Sequence, residues 1–94
     1  MTKPHVISEA EGTITVSPGA LEQVVQRAVE QAGARVRRRR LDVGAERVTV
    51  GLAVPYGSVL PEVAEDVQRR IADGLRDICG LEPGAIDVTV EELE

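Results

Sequence analysis

Residues 47–67 read RVTVGLAVPYGSVLPEVAEDV, and within them the apolar repeat changes from every second residue to every third or fourth. Val48, Val50, Leu52 and Val54 alternate with Arg47, Thr49, Gly51 and Ala53. That is a strand with one buried face and one face that tolerates small or polar groups. Pro55-Tyr56-Gly57-Ser58 then breaks the strand. Beyond it, Leu60, Val63, Ala64, Val67, Ile71, Leu75 and Ile78 recur at helical spacing to about Cys79. Pro61 falls in the first turn, where its missing N–H does no harm. Gly80-Leu81 reads as a glycine stop followed by an apolar clasp.

Working outward, the same logic covers most of the chain. Upstream of the strand lies ARVRRRRLDV, joined to it by a Gly-containing turn near Val43-Gly44-Ala45, so the two runs form a hairpin. Before that, Ser17-Pro18 supplies a helix cap and first-turn proline. The stripe Leu21, Val24, Val25, Ala28, Val29 and Ala32 follows, and Gly33 ends it. GTITVS is a short half-buried strand with Ile14 and Val16 opposed to Thr13 and Thr15. Downstream, AIDVTVEEL places Ile86, Val88 and Val90 inward and Asp87, Thr89 and Glu91 outward. Residues 1–12 are polar and lack periodicity, which predicts a flexible N-terminal tail before a single domain at 13–94.

The predicted order is β-α-β-β-α-β, an α+β class. Each helix has one apolar stripe, so both should cover one face of a four-stranded sheet in a two-layer sandwich. The right-handed crossover rule favours a ferredoxin-like strand order, 4-1-3-2, with the arginine strand at an edge. The other sheet face should stay open, lined by Thr and charged residues.

The chain has 94 residues and a net charge of −5, yet five of its ten arginines fall between Ala34 and Arg40. An acidic balance argues against general affinity for nucleic acid or anionic membrane. The core must be built from Val, Leu, Ile and Ala, because Tyr56 is the sole aromatic. Nothing approaches the roughly 20 apolar residues that span a bilayer, and the N-terminus lacks a signal-peptide run, so a cytoplasmic protein without direct membrane insertion is expected. One cysteine, Cys79, excludes an intramolecular disulfide and a Cys-rich metal site.

Alternation puts Arg35, Arg37 and Arg39 on one face of their strand and Arg38 and Arg40 on the other. Val36 and Leu41 then fall on opposite faces, a pattern that admits a bulge. Two readings of the run stand side by side. Charge along an edge strand blocks pairing with another sheet. Arginines two apart are separated by about 6.8 Å and repel by only about 0.6 kcal/mol in water, so such a run can exist without a partner. The second reading is a ridge that binds an anion or an acidic protein surface. Acids such as Glu46, Asp87 and Glu91 could neutralise part of it. Tyr56 likewise reads either as a turn residue packed over the helix end or as an exposed contact.

Other candidates carry little chemistry. His5 stands in the tail without partners in sequence. Cys79 reads as a small buried hydrophobe. Carboxylates and arginines of the second helix, such as Glu65–Arg69 and Asp66–Arg70, are spaced as surface ion pairs. PYGS has a single glycine and no phosphate-loop spacing. No catalytic, cofactor-binding or metal-binding residues are assigned, and no enzyme is expected.

The run VTVGLAVPYGSVLPEVAEDVQRRIADGLRDICGLEPGAIDVTVEEL, and ITVSPGALEQVVQRAVEQAGARV upstream, resemble the alkaline shock protein family, bacterial envelope stress response proteins. "YG…PEVAEDVQ" is the distinctive part, and the likeness covers roughly residues 13–93. Gly33-Ala34-Arg35-Val36 departs from the glycine-valine that commonly follows the first helix in the family. The resemblance implies a non-catalytic cytoplasmic protein of cell-envelope or cell-wall homeostasis. It would be an interaction or scaffold module, peripheral at the membrane through a membrane-anchored protein partner, and a possible homo-oligomer. It assigns no role to the arginines. The alternative from the residues alone is a small nucleic-acid-binding module using Arg35, Arg37, Arg38, Arg39 and Arg40 on phosphates.

Overall fold

A computed structural model describes residues 4–9, 12–44 and 46–94, with the side chains of His5, Ile7, Ser8, Glu9, Arg38 and Arg39 outside the description. Five strands and two helices are described: β1 (His5–Glu9), β2 (Gly12–Val16), α1 (Pro18–Gln31), β3 (Arg35–Val43), β4 (Arg47–Val54), α2 (Leu60–Cys79) and β5 (Ala85–Leu93). The class is α+β, as the residue patterns predict. Ser17 caps α1, its hydroxyl accepting from the Ala20 N–H at 3.2 Å, with Pro18 just inside. At the other end of the second helix, Gly80 takes the left-handed conformation (φ 67°). This lets the Leu81 N–H reach back to the Leu75 carbonyl at 3.0 Å, and Leu81 is buried as the clasp.

Both helices contribute to one apolar core. Val25 and Val29 from α1, Val67, Ile71 and Leu75 from α2, and Val48, Val50, Leu52 and Val54 from β4 are all fully buried. α1 packs on the β3 side of the sheet and α2 on the β5 side. α2 spans about 30 Å at 1.5 Å per residue, close to the length of β4. It therefore returns the chain to the start of β4, and β5 runs parallel to it.

That pairing corrects the ferredoxin-like expectation. The order is β3-β4-β5, with β3 antiparallel and β5 parallel to the central strand. β5 pairs with β4 along its length and closes the position that the first predicted strand would have occupied. That strand, β2, pairs instead with β1, in register from His5↔Val16 to Glu9↔Gly12. Residues 5–9, expected in the tail, thus supply β2 with a partner close in sequence. The sheet over which the helices lie has three strands rather than four.

The α2 stripe also needs one correction. The fully buried line runs Val67, Ile71, Leu75 and on to Cys79, whereas Ile78 is 71% exposed. Steps of four carry the buried ridge to Cys79 and turn Ile78 towards α1. There it rims a groove of about 690 Å³ with Val24, Ala28 and Gly74.

Candidate interaction surface

The face of the sheet opposite the helices is built around Gly51 and Ala53. Of the β4 residues that point away from the core, Arg47 and Thr49 are exposed, whereas these two are buried. Their cover comes from the two edge strands. β3 slips register between Arg37 and Leu41, so that residues 38–40 are extra relative to β4. β5 slips between Val90 and Glu92, leaving Glu91 extra. These two bulges flank the same central glycine.

The β3 bulge resolves the parity conflict in the sequence. Val36 and Leu41, on opposite faces by strict alternation, both pack against the core. It also overturns the expected position of Arg40. Its Cβ lies where a Cβ on Gly51 would come within 2.6 Å, on the open face that also carries Arg35 and Arg37.

There the arginines meet the acidic end of β5 across β4. Arg35 forks onto Glu94, with Nε donating to Oε1 at 2.9 Å and Nη2 to Oε2. Arg37 pairs with Glu92, and Arg40 Nε stands 3.6 Å from Glu91 Oε1. Further along, Arg47 Nη1 donates to Asp87 Oδ2 at 2.5 Å. Donating this hydrogen bond to Glu94 raises the already high pKa of Arg35, followed by the attraction of that carboxylate. The arginine side chains remain largely exposed, so solvent screens each pair and it contributes little to stability. Their arrangement is a band of alternating charge three strands wide.

Tyr56 stands at one end of the band. Its N–H donates to the Glu94 carbonyl at 2.7 Å, and the Glu94 N–H donates to the Val54 carbonyl at 2.8 Å. Ser58 closes the turn through its hydroxyl to the Pro55 carbonyl at 2.7 Å. The backbone is held, but the ring is 82% exposed rather than packed over the helix end. Val59 and Leu93, both about half exposed, belong to the same end of the sheet and helix.

Of the residues singled out in the sequence, Arg35, Arg37 and Arg40 share this face with Tyr56 at its end. The side chains of Arg38, Arg39 and His5 lie outside the described residues. Among the suggested counter-ions, Glu91 does pair with the run, while Asp87 serves Arg47. Glu92 and Glu94 are not among the counter-ions that the sequence suggests. The signal that could have found them is the terminal EELE, an acidic run on the last strand matching the arginine run on an edge strand.

Elsewhere, Asp66 accepts from both Arg69 and Arg70, and the Arg70 hydrogen bond chiefly pulls its carboxyl below the usual range. Cys79 is buried, and desolvation pushes its thiol pKa up. Among the described residues no group of three or more His, Cys, Asp and Glu could hold a metal ion. No helix among them is long and apolar enough to cross a membrane. Comparison with known proteins gives no match to a family model, a curated protein or a solved structure.

Proposed function

We propose that this chain is a non-catalytic interaction or scaffold module of the cell envelope, docking onto a membrane-anchored protein through the charged band and Tyr56. The observation that carries this reading is Tyr56 itself: a lone aromatic, 82% exposed, on a turn pinned by its N–H to the Glu94 carbonyl just past β5. An aromatic held on a fixed backbone offers a large contact at small entropic cost, which is the character of an interface anchor. Beside it, paired arginines and glutamates present both signs of charge in a fixed register, which favours selection of one partner over others. The resemblance of residues 13–93 to alkaline shock proteins supports the envelope setting and a cytoplasmic, peripheral location. The ion pairs weigh against the nucleic-acid alternative, since Arg35, Arg37 and Arg40 already face carboxylates.

The test is affinity capture from native cells in mild detergent, with and without nuclease, comparing the wild type with Tyr56→Ala and Arg37→Glu. A membrane protein retained after nuclease and lost with either variant is the expected result. Recovery that depends on nucleic acid, or that neither variant changes, would overturn the proposal.

A further inference from the structure

The chain holds a strand donor and a strand acceptor that do not meet. The acceptor is the outer side of β5. In the sheet order β3-β4-β5 it has, among the described residues, a paired neighbour on one side only. Its inward row shows the consequence: Ile86, Val88 and Val90 are only partly buried, while their β4 counterparts Val48, Val50 and Leu52 are fully covered. The two edges are also differently defended. β3 carries arginines and a three-residue bulge, both of which discourage strand addition. From Ala85 to Val90 β5 has no Lys, Arg or Pro and keeps regular register with β4. The Ile86 carbonyl is already held by Gln68 Nε2 at 3.0 Å, which leaves Asp87–Val90 as the open segment.

The donor is the β1–β2 hairpin. Five residue pairs in two strands are marginal alone in water. Among the described hairpin residues only Val16 packs against the core, and Ile14, on the same side of β2, is 51% exposed. The alternation matches the acceptor: Ile14 and Val16 against Thr13 and Thr15 would continue Val88 and Val90 against Asp87 and Thr89. The hairpin forms its own two-stranded sheet and does not pair with β5 of its own chain.

We infer that the β2 edge of the hairpin adds to β5 (Asp87–Val90) of a second copy of this chain, reciprocally, giving a closed two-fold dimer with extended sheets. Ile14 of each copy covers the partly buried Val88–Val90 row of the other. This inference does not rest on the docking reading, because it does not use Tyr56 or the Arg35, Arg37 and Arg40 ion pairs as a binding surface.

The experiment is sedimentation equilibrium on the full chain together with amide hydrogen exchange over β5, for wild type and Ile14→Asp. The wild type should dimerise, and outward-facing amides within Asp87–Val90 should gain protection as concentration rises. Ile14→Asp should keep its circular dichroism, and the melting profile of the wild type at concentrations where both are monomeric, while dimerisation weakens at least about tenfold and the added β5 protection disappears. A wild type that stays monomeric across the accessible concentration range overturns the inference. So does a dimer whose formation leaves β5 exchange unchanged, or one that Ile14→Asp leaves intact with its β5 protection.

Discussion

Arg40 and Glu91 converge above the Cα of Gly51. A methyl group there would meet the Arg40 Cβ at 2.6 Å and collide with the Glu91 carboxylate. Each residue belongs to a bulge in a different edge strand, and the central strand accommodates both by carrying no side chain between them. The glycine in a strand otherwise built of valines is therefore the floor of the charged band.

Gly51→Ala should destabilise the domain by about 1–3 kcal/mol, the usual range for forcing an extra group into a filled site. Glu91→Ala in the same chain should recover only part of this, since the Arg40 Cβ remains in place. Urea unfolding of the two variants and the double variant measures both quantities.

Charge reversal within the band should cost little and be reversible. Arg37→Glu opposite Glu92 places like charges together, and Glu92→Arg in the same chain restores an opposed pair with inverted sign. The coupling energy from the double-mutant cycle should be at most about 1 kcal/mol and should shrink as salt is added. A coupling of several kcal/mol would mean that the band behaves as a buried network.

Asp66 gives a pH dependence of defined sign. Its carboxyl is held low in the folded chain, chiefly by the Arg70 hydrogen bond, so the pair stabilises the fold above the ordinary carboxylate pKa. That contribution is lost as the pH falls through the lowered folded value. With Arg70→Gln the Asp66 titration followed by carboxyl NMR should move upward, and the acid limb of the stability profile should flatten.

Cys79 should be slow towards thiol reagents in the folded state. Burial disfavours its thiolate, so reaction with a disulfide probe at neutral pH should require opening of the α2 end and accelerate in urea in step with unfolding. Prompt stoichiometric labelling of the native protein would contradict this.

Much of the fold is legible in the sequence because each helix announces its own limits. Ser17-Pro18 and Gly80-Leu81 are local signals, and the structure uses both as read. The parity conflict between Val36 and Leu41 carries real information, since only a bulge lets both face inward. What was not legible depended on non-local choices. Whether β5 lies against β4 or leaves room for another strand is decided by competition among pairings, and residues 5–9 altered it by offering β2 a near partner. The choice between Ile78 and Cys79 as the last buried residue of α2 turns on a rotation of about 100°, which periodicity alone does not resolve at a helix end. The arginines were visible, but their partners came from a segment more than fifty residues away in sequence.

With no Trp or Phe, the whole near-ultraviolet signal of this protein comes from Tyr56, and that ring stands in solvent while the aliphatic core beneath is optically silent. Intrinsic fluorescence will therefore be a poor gauge of core packing during unfolding. The same property makes it a label-free reporter of any molecule that settles on the turn between β4 and α2.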